Sequence, residues 1–243
     1  MTAPPLPPDV EPVPELAALG FLAYTTTRAF GSLGTATAEP VRDVMARWRT
    51  VTDHLGSLGV ARLATAAQVH GAQLLVHQPG WSGWLRGSAA DGHVCRAGLR
   101  TAAAVTVADC VPIFLAHPSG ACALLHSGWR GTAGRIVQAG VDALAALGCP
   151  AGELTVHLGP AICGDCYEVG PEVHARLTGR VPPGPAPVDL RALIAEHASA
   201  RGVNRISVSA ACTRCDNGRF FSHRAGDPGR QISLIAPGPA LLA

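Results

Sequence analysis

The alternation of apolar and polar positions divides the chain into short strands and a few amphipathic helices. Apolar runs rich in β-branched residues are typical of strands. Such runs predict strands over residues 21–27, 102–107, 113–116, 121–125, 154–158, 206–211 and 231–235. Residues 63–77 contain further strand material around the string Gln-Val-His-Gly at 68–71. A β-rich chain is therefore expected.

Three segments have helical spacing. One apolar side of residues 40–58 is formed by Val41, Val44, Met45, Trp48, Val51 and Leu55. Residues 131–147 predict a helix closed by the glycine that follows. The glycine turn at 128–131 opens that helix, and free N–H groups there favour an anion. Asp189 is the expected N-cap of a third helix.

Length and element order set the fold class. A chain of 243 residues with 48% hydrophobic content can form one large domain. Strands and helices mix without strict alternation, which favours an α+β fold or a mixed-sheet sandwich over a doubly wound parallel sheet. We expect a disordered proline-rich tail over residues 1–15 and a single domain over residues 16–243. The stretch 181–187 is interpreted as a surface loop.

Composition excludes several classes of function. The formal net charge is +2 and only 15% of residues are charged, without the basic stripe of a nucleic-acid binder. All 19 basic residues are arginine, so a Schiff-base lysine and a P-loop are excluded. The N-terminus lacks the pattern of a signal peptide, and no apolar stretch is long enough to span a bilayer. We expect a cytoplasmic protein of undetermined oligomeric state that does not bind membranes.

Three short strings carry candidate chemistry. They are Gln-Val-His-Gly at 68–71, Ala-Asp-Cys-Val-Pro at 108–112 and His-Ser-Gly-Trp-Arg-Gly at 126–131. His70, Cys110 and His126 together offer two imidazoles and one thiolate, a zinc ligand set with one coordination position left open. Each of them alone would be an ordinary polar residue or a small buried thiol. The sequence therefore predicts a catalytic metal site if the three meet in space.

Four other cysteines and two arginines form two further sets of candidate functional residues. The pairs Cys163-x-x-Cys166 and Cys212-x-x-Cys215 can form a closed four-sulfur zinc site. The long spacing between the pairs weakens that signal, so we interpret them first as buried or half-buried thiols and second as a structural zinc site, with a redox pair as an alternative.

Arg130 in its glycine turn and Arg28 after three threonines suit phosphate or carboxylate. A surface ion pair is the simpler interpretation of Arg28.

Five ordered motifs resemble the laccase-domain family, also called the multicopper polyphenol oxidase or YfiH family. They are the three strings above, Gly-Pro-x-Ile at 159–162 with Tyr-Glu-Val-Gly at 167–170, and Cys-Thr-x-Cys at 212–215 with Phe-Phe-Ser at 220–222. The resemblance implies a four-layer α/β/β/α sandwich. It also implies zinc bound by His70, Cys110 and His126, with copper ranked below zinc.

The resemblance further implies phosphorolysis of adenosine, inosine and methylthioadenosine, and deamination of adenosine. The expected small-molecule partners are a purine nucleoside and phosphate. Arg130 and Arg28 are our candidates for binding phosphate. Asp109 is our candidate for proton transfer or for orienting a metal ligand.

Three departures from the family bear on the substrate pocket. Residues 31–34 lead on without the usual Asn-Leu-Gly, and Ser-His-Arg-Ala at 222–225 replaces Ser-Tyr-Arg-Arg. Asp91 stands where the family often has Ala-Asp-Ala.

Three other functions remain open. Cys110 could be the nucleophile of a cysteine-dependent amide hydrolase, with His126 or His70 as its base. A peptidoglycan-precursor editing role is attributed to some family members. A copper oxidase ranks last, since none of the ten histidines forms a His-x-His pair. A zinc-bearing scaffold without activity is the remaining, non-enzymatic alternative.

Overall fold

Two six-stranded mixed sheets form the centre of the molecule. The structure is a computed structural model that describes residues 4–242. Residues 1–3 of the predicted tail, and residue 243, lie outside the described residues.

Strands are numbered in the order in which they occur along the chain. From one edge to the other, sheet A contains β1 (Val10–Pro12), β2 (Phe21–Thr26), β14 (Gln231–Pro237), β7 (Thr101–Val107), β3 (Arg62–Ala66) and β5 (Gly83–Gly87). Strands β7, β3 and β5 run parallel, and the other pairs are antiparallel.

Sheet B has the same number of strands and a similar mixture of directions. Its order is β13 (Arg205–Val208), β10 (Thr155–Leu158), β8 (Val111–Ala116), β9 (Cys122–Ser127), β6 (Gly92–Cys95) and β4 (Leu74–Val76). The two outer pairs are parallel and the central pairs are antiparallel. A small separate ribbon pairs β11 (Glu168–Val169) with β12 (Ala186–Pro187).

Helices cover the outer face of each sheet, and one short helix near the N-terminus packs against the core between the sheets. They are α1 (Pro14–Ala17), α2 (Val41–Ser57), α3 (Trp129–Ala133), α4 (Ile136–Ala145), α5 (Pro171–Thr178) and α6 (Leu190–Ser199). Helix α2 packs on sheet A, while α4 and α6 pack on sheet B. A third apolar cluster fills the space between the sheets. These layers confirm the predicted α/β/β/α sandwich in a single domain.

The predicted strands and helices are largely present, with differences at particular turns. Residues 131–147 do not form one helix, because Gly134 and Arg135 separate α3 from α4 and Arg135 is left-handed with φ 56°. In α2, Val41 and Met45 are 62% and 41% exposed. The Asp189 carboxylate caps α6 as predicted, accepting from the N–H groups of the residues two and three positions later.

The predicted disordered tail is wrong for its later part. Strand β1 pairs antiparallel with β2, and Val13 and Leu16 are buried in the core between the sheets. Pairing of the backbone and burial of these side chains offset the conformational entropy that the proline-rich composition suggested would keep this segment disordered.

Three crossovers between the sheets lie at one end of the sandwich. The chain passes from sheet A to sheet B between β3 and β4, between β5 and β6, and between β7 and β8. Because β3, β5 and β7 are parallel, their carboxyl ends meet at the same edge. Within residues 4–242, no helix has both the length and the apolar character needed to cross a bilayer.

Candidate metal centre

Three side chains distant in sequence meet at the crossover end of the sandwich. His70 lies between β3 and β4, Cys110 between β7 and β8, and His126 near the end of β9. Imidazole nitrogen and thiol sulfur atoms of the three lie within 4.8 Å of one another. The two imidazole rings stand edge to face, with centroids 4.9 Å apart. The fold thus brings together the three residues singled out in the sequence, hereafter the trio.

A buried carboxylate supports the trio. Asp91, in the crossover between β5 and β6, is fully buried. It accepts hydrogen bonds from the backbone N–H groups of Val69 (3.2 Å), His70 (2.9 Å) and Gly71 (2.7 Å). It also bonds Nδ1 of His126 at 2.8 Å.

Burial opposes ionisation of Asp91, but the hydrogen bonds from His126 and from the backbone outweigh it and lower the pKa of the carboxyl. The ionised carboxylate holds Nδ1 of His126 and leaves Nε2 available as a ligand.

The backbone around the trio is shaped to bring the ligands close. His70 is left-handed with φ 60°, and its bond to Asp91 helps to hold that unfavourable conformation. A Cβ atom at Gly128 would lie 3.0 Å from Sγ of Cys110 and 3.5 Å from Cδ2 of His70. Glycine at position 128 therefore allows the chain after β9 to pass directly against two of the ligands.

The charges of Cys110 and His126 are coupled. Burial alone would raise the pKa of Cys110, but the charge of His126 and hydrogen bonds from both histidines lower it to about 6. Burial alone would lower the pKa of His126, but Cys110 and Asp91 raise it to about 9. A thiolate is therefore favoured at Cys110. Two imidazoles and a thiolate are a donor set that suits zinc and leaves a fourth position open, so the residues present fit the predicted metal.

Asp109 lies next to the trio but is held by other groups. It is buried and left-handed, with φ 81°. Its Oδ1 accepts from Oγ1 of Thr213 at 2.6 Å, and its Oδ2 accepts from the N–H of Arg224 at 2.7 Å. Asp109 thus ties the β7–β8 crossover to the loop after β13, while the carboxylate that contacts a trio histidine is Asp91.

The two predicted phosphate-binding arginines have different surroundings. The Arg28 guanidinium bonds Asp227 at 2.6 Å and the carbonyls of Asn217 and Phe220. Arg28 does not line the large cavity described below. Arg130 also lies outside that lining, but it is exposed, and its guanidinium stacks on Trp129 at 4.3 Å.

Arg130 belongs to a group around Tyr167. Burial raises the pKa of Tyr167 to about 12, and the charges of Cys110, Arg224, Asp109 and Arg130 act on the same phenol. Within residues 4–242, the Arg130 side chain has no hydrogen-bond or ion-pair partner. Among the described residues, its guanidinium is therefore not committed to another group.

The trio opens on a cavity of about 700 Å³ between sheet A and α2. This volume falls in the range typical of small-molecule sites. Trp48 and Trp84 stack in its wall with ring centroids 4.6 Å apart, and Arg86 and Arg230 also line it. Residues 33–37 and His223 are also part of the lining. Two of the three departures from the family motifs thus fall on the cavity wall.

The structure also brings the two Cys-x-x-Cys pairs together. The sulfur atoms of four cysteines lie within 4.8 Å of one another: those of Cys163, Cys166, Cys212 and Cys215. All four are free thiols, of which Cys212 is buried, Cys163 and Cys166 are half-buried and Cys215 is exposed. The parallel pairing of β10 with β13 places the two loops that carry them side by side.

Sequence reasoning missed the role of Asp91. The available signal was an acidic residue at the entrance of the apolar strand β6, where a buried charge needs partners. Its partners could not be read from the sequence, because they come from the crossover between β3 and β4 and from His126 in β9.

The fold and the site together define the class of protein. It is an enzyme class with a four-layer sandwich and a candidate His–Cys–His metal centre, which lies between two sheets at the mouth of a cavity. The chain belongs to the family described as multi-copper polyphenol oxidoreductase laccase, whose model matches residues 26–237.

Three relatives illustrate what the chain is similar to. The purine nucleoside phosphorylase ORF3 of Streptomyces griseus is 36% identical over 79% of this chain and 80% of its own length. The adenosine deaminase RL5 of an unknown prokaryotic organism is 40% identical over 49% of this chain and 51% of its own length. The crystal structure of the hypothetical protein YfiH from Bacillus licheniformis has a TM-score of 0.83 at 24% identity, covering 95% of this chain and 97% of that one.

Proposed function

We propose that the protein is a zinc-dependent purine nucleoside phosphorylase acting on adenosine, inosine and methylthioadenosine, with adenosine deaminase activity. The observation that carries the proposal is the opening of the trio onto the 700 Å³ cavity. The names of the two relatives, a phosphorylase and a deaminase, support the same substrate class.

The purine has a suitable place in the cavity. Trp84 is half-buried, and Nε1 of its indole donates to Oγ1 of Thr65 at 2.8 Å, which fixes the ring. Its stacking partner Trp48 is buried behind it. A fixed aromatic face favours a flat heteroaromatic ring such as a purine.

Each reaction needs a different co-substrate at the nucleoside. Phosphorolysis forms a bond between a phosphate oxygen and the anomeric carbon, while the glycosidic bond breaks and the purine leaves with a proton. Deamination adds water at purine carbon six and releases ammonia. Zinc held by His70, Cys110 and His126 would supply Lewis acidity at its open position.

The chain's own groups position the co-substrate. Arg130 has an exposed guanidinium whose charge acts on Tyr167, as does the charge of Cys110, and a guanidinium suits a phosphate. Arg86 is exposed at the cavity wall. The Asp109 carboxylate orients the crossover that carries Cys110, because both of its oxygens accept hydrogen bonds.

A cysteine-dependent amide hydrolase is the second candidate. The lowered pKa of Cys110, about 6, favours a thiolate with His126 beside it. That pair is also the starting point of a cysteine nucleophile. Metal content separates the two candidates, because a zinc-bound Cys110 reacts slowly with iodoacetamide and a free thiolate reacts rapidly.

The experiment combines elemental analysis with product chromatography. Zinc-loaded protein is incubated with inosine and phosphate, and hypoxanthine is followed; adenosine in phosphate-free buffer tests for inosine. We expect both products, and their loss in His126→Ala. His54→Ala, on α2 outside the cavity lining, is the matched control and should retain activity. Zinc-loaded wild type without product would refute the proposal, as would a His126→Ala variant that equals wild type.

A further inference from the structure

A second ligand cluster lies outside the cavity, on the loops that follow β10 and β13. Cys163 and Cys166 follow β10, and Cys212 and Cys215 follow β13. The parallel pairing of these strands continues into a bridge between Ala161 and Cys212. The four sulfur atoms lie within 4.8 Å of one another. Two pairs from separate loops therefore converge on one point, hereafter the four-cysteine cluster.

The sulfur spacing suits one enclosed ion. Sγ of Cys166 and Sγ of Cys215 are 3.4 Å apart, well beyond a disulfide bond of about 2.05 Å. Four thiolates around zinc, each at about 2.3 Å, stand roughly 3.8 Å from one another in a tetrahedron. Two Cys-x-x-Cys pairs with this spacing are the ligand pattern of a closed structural site.

The backbone and nearby cations suit thiolate ligands. Sγ of Cys212 accepts hydrogen bonds from the N–H groups of Cys163 at 3.2 Å and of Cys215 at 3.4 Å. Arg214 and Arg224 both donate to the carbonyl of Cys166, at 3.4 Å and 3.3 Å. Four thiolates around a divalent ion carry net negative charge, which these two guanidinium groups partly offset.

We propose that the four-cysteine cluster binds a structural zinc ion that positions the neighbouring trio. Thr213, between two of the ligands, donates to Oδ1 of Asp109, and the same loop continues to Arg224, whose N–H bonds Oδ2. Zinc at the cluster fixes this loop, and the loop fixes the left-handed backbone of Asp109 beside Cys110. Thr213 and Asp109 are positioning residues in this arrangement.

Metal stoichiometry tests the proposal on the full chain. We expect two zinc equivalents in wild type, one for each ligand group, and one each in Cys110→Ser and in Cys166→Ser/Cys215→Ser. Cobalt added to Cys110→Ser should give the intense thiolate-to-cobalt absorption of an all-sulfur site. Cys149→Ala, which removes a buried thiol outside both groups, should keep both equivalents.

Alkylation of wild type decides the matter even if the double variant does not fold. We expect Cys163, Cys166, Cys212 and Cys215 to resist iodoacetamide until a chelator is added, and then to react. Peptide mapping that finds these four alkylated without chelator, or joined as disulfides, would overturn the proposal. So would an absence of bound metal in Cys110→Ser. That variant lacks a trio ligand, so its metal content is independent of the proposed enzymatic function.

Discussion

The two ligand clusters differ in donors, surroundings and access. The trio mixes nitrogen with sulfur, has a buried carboxylate behind His126 and opens on a cavity. The four-cysteine cluster has sulfur alone, and its supporting hydrogen bonds come from backbone N–H groups within its own two loops. A site that must accept a substrate leaves a position open and needs side-chain support to orient its ligands. A site that closes around its ion needs only the loops that carry it.

The largest expected difference between the two clusters concerns the loss of ligands from each of them in turn. We expect Cys110→Ser to lower the rate of inosine phosphorolysis by more than about 100-fold. This exceeds the usual effect of removing a residue that only hydrogen-bonds to a metal ligand. Cys166→Ser/Cys215→Ser should lower the melting temperature and reduce activity less. Phosphorolysis rates and thermal melts of both variants test this. Equal losses of activity would contradict the division of roles.

Asp91→Asn tests the support behind His126. The substitution keeps the side-chain volume but removes the anion that holds Nδ1 of the ring. We expect a decrease of about 10- to 100-fold in zinc affinity or activity. Titration with a chelator measures the affinity. Asp43→Asn, at an exposed position of helix α2, is the control; an Asp91→Asn variant that behaves like this control would contradict the assigned role.

Thr213→Val tests the link between the clusters. The change removes the 2.6 Å hydrogen bond to the Asp109 carboxylate and should cost about 1.5 kcal/mol of unfolding free energy. Activity should fall because the crossover carrying Cys110 loses one constraint, while both zinc equivalents remain. Urea unfolding and metal analysis check these results. Thr213→Ser retains the hydroxyl and should restore wild-type values.

The smallest effect concerns the sheet beside the trio. Burial, with a further contribution from His77, lowers the pKa of His93 to about 3. The unfolded chain takes up a proton at His93 near its ordinary pKa of 6.5, whereas the folded chain does not. This contribution to stability is therefore complete above about pH 6.5 and is lost progressively as the pH falls towards about 3.

Between about pH 7 and about pH 6, His93 should account for less than about 1 kcal/mol of the decrease in unfolding free energy. His93→Gln should show a correspondingly smaller decrease in urea unfolding over that interval. If both proteins lose stability equally, another group sets the acid sensitivity of this sheet.

The sequence predicts elements whose determinants are local. Helix α2 follows from apolar spacing around Val44, Trp48, Val51 and Leu55, all of which are buried. The cap at Asp189 depends on two neighbouring N–H groups. The trio could be named because each member lies in its own distinctive string.

Other features depend on contacts between distant segments. Cys166 and Cys215 are 49 residues apart and meet only because β10 pairs parallel with β13. Asp91 contacts the crossover between β3 and β4 and His126 in β9, so its role requires the sheet order. The break at Arg135 is equally hidden, because an arginine in the left-handed region has no distinctive sequence pattern.

The crossovers that carry Asp91, His70 and Cys110 join two sheets that pack on one another through a cluster of apolar side chains. An ion bound there would hold the two sheets together at this end of the sandwich. Amide hydrogens at this edge of β4, β6 and β8 should then exchange more slowly when metal is bound, even without substrate. The loop at residues 33–37 contributes no trio ligand, so it can change in length or sequence without breaking the link that the ion makes between the sheets.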